Sequence, residues 1–228
     1  MDTKTLVNLL TNTPTDIFQK LRRVFCEKMM QKPNVLLVPK WKDRTHKTHL
    51  QHLASQTQKE YRMAFLGDSM MERWLTTGAE IWAEHYAKDC INLGVGGDGI
   101  EHLLYRLKGT KDIPGLPGCL DNISVEIVQL MIGTNNLANR SVDHILAGTV
   151  NVINLVKEKQ PKASIRLYGL PYRKDIDKSK VTELNAKLAA GFPHLYVFFG
   201  DSLDLDKDYD DHVHLNQSGY AKWLMYLQ

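Results

Sequence analysis

Five short apolar runs, each stopped by a glycine, set the tightest limit on how this chain can fold. They are RMAFLG (62–67), DCINLG (89–94), VEIVQLMIG (125–133), SIRLYG (164–169) and LYVFFG (195–200). Their length suits strands, and their apolar character is continuous rather than alternating, which fits a sheet buried on both faces. Longer amphipathic stretches separate them. The clearest lies between the third and fourth runs, where Val142, Ile145, Leu146, Thr149, Val152, Ile153 and Val156 keep helical spacing behind a Ser141 cap. Alternating strand and helix predict an α/β protein: three α/β/α layers around a five-stranded, mostly parallel sheet. Such sheets bind ligands beyond the carboxyl ends of their strands, where the strand order reverses. The glycine-terminated strand ends are therefore the places to look for chemistry.

Ahead of the first run the pattern differs. NTPTDIFQKLRRVFCEKM predicts an amphipathic helix, with Thr13 as N-cap, Pro14 at the first helical position, and Ile17, Phe18, Leu21, Val24, Phe25 and Met29 on one stripe. Two prolines interrupt PNVLLVPKW, and residues 42–60 are polar, basic and without a clear assignment. Residues 1–60 carry 11 Lys and Arg against 5 Asp and Glu, while the chain as a whole has a formal charge of +3. We read residues 1–60 as a basic N-terminal extension packing on a domain of residues 61–228. A charge of this density reads as a solvated face rather than a nucleic-acid surface.

At 228 residues the chain is long enough for one sizeable core. It has no run approaching the ~18 apolar residues of a membrane helix, and its start, with an early acid, lacks a long apolar segment. A cytoplasmic protein is the expectation. Cys26, Cys90 and Cys119 are odd in number, far apart and in no CxxC pair, so they suggest buried thiols rather than disulfides or zinc.

Four segments carry chemistry-bearing residues: GDSM (67–70), NLGVGGDG (92–99), GTNN (133–136) and DDHVHLNQSGY (210–220). Acyl transfer needs an attacking hydroxyl, a base, a carboxylate that orients the base, and donors for the developing oxyanion. Ser69 can attack, and the stretch MMERWLTTGAEIWAEHY behind it predicts a helix that begins at this residue. The N–H of Gly97, in a glycine run, and the side chain of Asn135 can join the Ser69 N–H as oxyanion donors. His214 can serve as base, with Asp211 three residues before it. Asp68 is expected to brace its loop by hydrogen bonds.

These four blocks, in this order, resemble the SGNH (GDSL-type) hydrolase family over residues 61–228. The resemblance implies a flavodoxin-like SGNH hydrolase fold, Ser69, Asp211 and His214 as catalytic triad, and Ser69, Gly97 and Asn135 as oxyanion hole. Within the family, GDSM, EIW, NLGVGGD, LLYRLKG, IGTNN, KQPKASI and HLNQSGYAK are similar to the intracellular platelet-activating-factor acetylhydrolases. That likeness implies a serine esterase acting on short, typically acetyl, esters without a metal or other cofactor, and a homodimer. Asp98-Gly99 departs from the Asp-Thr common among these relatives, and the stretch before Asp211 is short and acidic. Residues 1–40 have no counterpart.

Competing readings are visible in the sequence. A second Gly-Asp-Ser, at Gly200 to Ser202, leads into LDLDKDYDD, where a nucleophile would build its oxyanion among carboxylates; Ser202 is read as the end of the last strand. His212 has Tyr209 rather than an acid at the −3 position and is read as a rim residue. His46, His49 and His52 recur every three residues, but with no carboxylate or cysteine to complete a metal site they predict a partly exposed polar helix. An esterase of O-acetylated carbohydrates, and a non-catalytic scaffold, are the alternative functions.

Overall fold

Strand β1 (Glu60–Gly67) pairs with β2 (Cys90–Gly94), an edge strand, on one side and with β3 (Ser124–Met131), the central strand, on the other. Strands β4 (Ser164–Tyr168) and β5 (Tyr196–Val197) follow, giving the order β2-β1-β3-β4-β5 with every pair parallel. This is the doubly wound order of flavodoxin-like folds, and its reversal point lies between β1 and β3. The computed structural model describes residues 34–110 and 116–227. The helix expected from Pro14 to Met29, and Cys26, lie outside the described residues.

The helices of the described chain are α1 (Asp43–Ser55), α2 (Ser69–Glu72), α3 (Ala79–His85), α4 (Ile100–Lys108), α5 (Val142–Lys159), α6 (Lys178–Gly191) and α7 (Gln217–Leu224). Four of them pack in succession, α1 on α4, α4 on α5 and α5 on α6. Ser141 caps α5 as expected, accepting the N–H of His144. An aromatic cluster forms elsewhere in the core: Phe65 of β1 meets Trp74, Trp82 and Tyr86 edge-on, and Trp74 meets Tyr220 and Trp223 of α7. Such edge-to-face pairs each add about 0.5–1.5 kcal/mol beyond the area they bury.

Two local expectations change. The stretch after Ser69 is not one helix: α2 has a single turn, a 3₁₀ turn follows at Arg73–Leu75, and α3 restarts at Ala79 after Thr76, Thr77 and Gly78, which are weak helix formers. The fifth strand pairs over only two residues. Phe199 leaves the ladder and stacks on Trp223 with ring centroids 4.6 Å apart, so part of that apolar run serves packing rather than pairing. Residues 43–55 form α1, which carries His46, His49 and His52 as the polar helix read from their three-residue spacing. The compact unit that holds the sheet begins at Val35.

The register puts the carboxyl ends of three strands level, pairing Gly67 of β1 with Gly94 of β2 and with Met131 of β3. Gly94 must lack a side chain, because a Cβ there would lie 2.2 Å from the backbone N of Glu72. Its absence lets α2 cross the end of β2 and brings Ser69 beside the loop that follows. Among the described residues no helix is long and apolar enough to cross a membrane.

Candidate active site

Asp68 caps α2, its Oδ1 accepting the N–H of Met70 at 3.0 Å. The residue is fully buried, and burial pushes its carboxyl up to about 7 although the Met70 N–H opposes the shift. Ser69 follows as the first helical residue. Its N–H precedes the first α-helical hydrogen bond and has no partner among the described residues.

The hydroxyl of Ser69 is 2.9 Å from His214 Nε2, and His214 Nδ1 is 2.7 Å from Asp211 Oδ2. A tight turn holds the second pair: Asp211 Oδ1 accepts the N–H of Val213 and of His214, both at 2.7 Å. Burial alone would raise the Asp211 carboxyl. The bonds from the His214 ring, the His214 N–H and the Val213 N–H outweigh it and hold the carboxyl well below the usual carboxylate range. An ionised Asp211 only accepts, so it assigns the proton to His214 Nδ1 and leaves Nε2 as the acceptor facing Ser69.

Opposite, Gly97 sits in a turn closed by Asp98 N–H donating to Val95 O at 3.1 Å, with φ +76°, as the third residue of a type II turn requires. Its N–H has no partner among the described residues. Asn135 donates from Nδ2 to Asp98 O at 2.9 Å. An amide nitrogen carries two hydrogens, so this bond fixes the group and leaves one donor over. Ser69, Gly97, Asn135 and His214 line one cleft of about 240 Å³, together with Gly96, Arg44, Glu72 and Arg73. A larger depression of about 440 Å³, lined by Arg62, His85, Tyr86, Leu224, Met225 and Leu227, offers no serine, threonine or cysteine for His85 to activate.

The remaining sequence candidates sit elsewhere. Ser202 spends its hydroxyl on Phe199 O at 2.6 Å inside a 3₁₀ turn. His212 is exposed and faces Asp175 at 3.7 Å. On α1, His46 Nδ1 contacts the Tyr105 hydroxyl at 2.8 Å and His49 Nε2 contacts Pro117 O at 3.0 Å. Cys90 and Cys119 are buried and unpaired.

Motif reading missed several neighbours. Arg106, fully buried on α4, donates to Asp98 Oδ2, Leu93 O and Gly67 O at 2.9, 2.7 and 2.9 Å. Thr45 donates to Asp98 Oδ1 at 2.5 Å, Lys42 Nζ to Gly97 O at 2.9 Å, and Arg44 pairs with Glu72 at 3.1 Å. Arg173 donates to Thr134 O at 2.9 Å and so anchors the turn that carries Asn135. The LLYRLKG block contains Arg106 and was the available signal for it.

A model of the GDSL-like lipase/acylhydrolase family matches residues 65–222. The human platelet-activating factor acetylhydrolase IB subunit alpha1 is 30% identical over 189 residues, which span 76% of this chain and 76% of that protein. The rat alpha2 subunit is 30% identical over 196 residues, 79% and 80% of the two chains. Among solved structures, a GDSL-like lipase from Bacteroides thetaiotaomicron has a TM-score of 0.60 at 20% identity and covers 80% of this chain and 94% of its own. The protein is an ester-hydrolysing enzyme of α/β architecture. The chain belongs to the GDSL-like lipase/acylhydrolase family.

Proposed function

We propose that this enzyme cleaves short acyl esters, acetyl esters foremost, through an acyl-enzyme on Ser69. The observation that carries the reading is the unbroken path from Asp211 through His214 to Ser69, at 2.7 and 2.9 Å, facing the same cleft as Gly97 and Asn135. Ser69 Oγ attacks the ester carbonyl while His214 Nε2 takes its proton, and Asp211 stabilises the imidazolium that forms. The Ser69 and Gly97 N–H groups and the free Asn135 amide hydrogen receive the oxyanion. As the intermediate collapses, His214 returns the proton to the departing alcohol. Water, activated by the same base, then attacks the acyl group and releases Ser69.

Two observations support a short acyl group. The cleft is small, and the side chains that line it are mainly polar, so a long chain would find little apolar surface to offset its ordering. The relatives at 30% identity are acetylhydrolase subunits by name, which supports an acetyl group; a homodimer and a cytoplasmic setting complete the proposal. The charged rim of Arg44, Glu72 and Arg73 suits a polar alcohol, so an O-acetylated carbohydrate is the second reading.

A fluorophosphonate probe, which reacts with activated serines, tests the assignment. The wild type and Ser202→Ala should label and Ser69→Ala should not; an unlabelled wild type would refute the assignment of Ser69 as nucleophile. A panel of aryl esters should then show rates that fall as the acyl group lengthens. A rise beyond about four carbons would remove the acetyl-ester reading.

A further inference from the structure

We propose that Thr45 is a positioning residue for the oxyanion hole, acting through Asp98. The inference rests on the assignment of Gly97 and Asn135 as oxyanion donors. Asp98 joins the two: its peptide nitrogen follows Gly97 and closes the turn onto Val95, while its carbonyl oxygen holds Asn135 Nδ2. Any shift of Asp98 moves both donors together. Its side chain is fully buried, and each carboxylate oxygen has one partner, Arg106 Nε on Oδ2 at 2.9 Å and the Thr45 hydroxyl on Oδ1 at 2.5 Å. Arg106 is committed to strand-end carbonyls of β1 and β2, so it ties Asp98 to the sheet. One bond from Arg106 leaves the carboxylate free to swivel about it; the second, from Thr45, stops the swivel. Thr45 comes from α1, a segment far from every motif block, and is itself fully buried.

The geometry separates this role from that of the base. Thr45 has no bond to Ser69, His214 or Asp211, so its loss should disturb oxyanion stabilisation and leave proton transfer as it was. Donors to an ionised group are the stronger hydrogen bonds, and oxyanion donors depend steeply on placement.

The test uses the full chain with Thr45→Val, which keeps the side-chain shape and removes the hydroxyl, and Thr45→Ser, which keeps the hydroxyl. Rates are taken on an aryl acetate per fluorophosphonate-reactive site, so that misfolded material does not count. The valine variant should lose about tenfold in kcat with KM within about twofold. Binding of a trifluoromethyl ketone, whose adduct places an oxyanion in the same position, should weaken in parallel. The shape of the pH-rate curve should not change, and the serine variant should return to within about twofold of wild type. A valine variant with unchanged kcat, whatever its melting temperature, overturns the proposal, as does a serine variant that fails to recover. Should the valine variant not fold, Thr45→Ala takes its place under the same two criteria. Wild-type protein that does not label at Ser69 would refute the site assignment itself; a labelled wild type with an insensitive Thr45 would refute only this inference.

Discussion

Asp211 accepts three hydrogen bonds from only two residues, Val213 and His214, and this small turn sets the tautomer of the proposed base. Because its carboxyl is held low, the orienting charge is complete above the ordinary carboxylate range and is lost only as pH falls through the lower folded-state value. Acid loss of activity at mildly acidic pH should therefore not originate in Asp211. Asp211→Asn keeps the size but offers an amide where Nδ1–H needs an acceptor, and kcat should drop by roughly 10³–10⁴ in steady-state assays. Asn135→Ala should cost roughly 10²–10³ in kcat, with a smaller change in KM. The residues that carry the proposed chemistry were legible because each belongs to a short block whose neighbours are constrained as well. Thr45 was not. It acts through a buried carboxylate 53 residues away in sequence, and a long-range bond of this kind leaves no spacing rule behind it, whereas Arg106 stands in the LLYRLKG block only 8 residues from that carboxylate.

At the scale of elements, α1 shows why periodicity fell silent over residues 43–55. Its buried positions are Thr45 and His49, one turn apart, so the face it packs is polar and produces no apolar stripe. His49 and His52 are held down to about 4 and about 3, chiefly by burial, with Arg106 adding to the shift. A histidine whose folded-state value lies below its unfolded one binds fewer protons folded than unfolded, so stability falls as pH drops from about 6.5 toward those lower values. The melting temperature should accordingly fall between pH 7 and pH 5. His52→Leu should flatten that fall, recovering on the order of 1 kcal/mol at pH 5. The strands were more legible than α1 because burial on both faces writes continuous apolar runs. Even there the fifth run overstated the strand, since an apolar residue that packs beneath a tryptophan reads the same as one that pairs.

Across the whole molecule, a single level of the sheet gathers residues from most of the described chain: Thr45 on α1, Ser69 after β1, Gly97 after β2, Asn135 after β3, and His214 ahead of α7. The acidic stretch before the base is part of this framework. Asp208 is buried and accepts from Lys222 and Ser218 at 2.6 and 2.7 Å and from the Asp204 N–H at 2.7 Å, which fastens the loop to α7. The bond between Ser69 and His214 spans 145 residues. Every strand pairing is parallel, and parallel pairing requires its crossovers to close before contacts can form. Catalytic competence should therefore mature late during refolding. After dilution from denaturant, far-UV dichroism should recover first and fluorophosphonate reactivity should follow, with no species that is active yet incompletely folded. In a cell that delay would act as a proofreading interval: a nascent or damaged copy would carry an inert serine and spare surrounding esters until its last segment had docked.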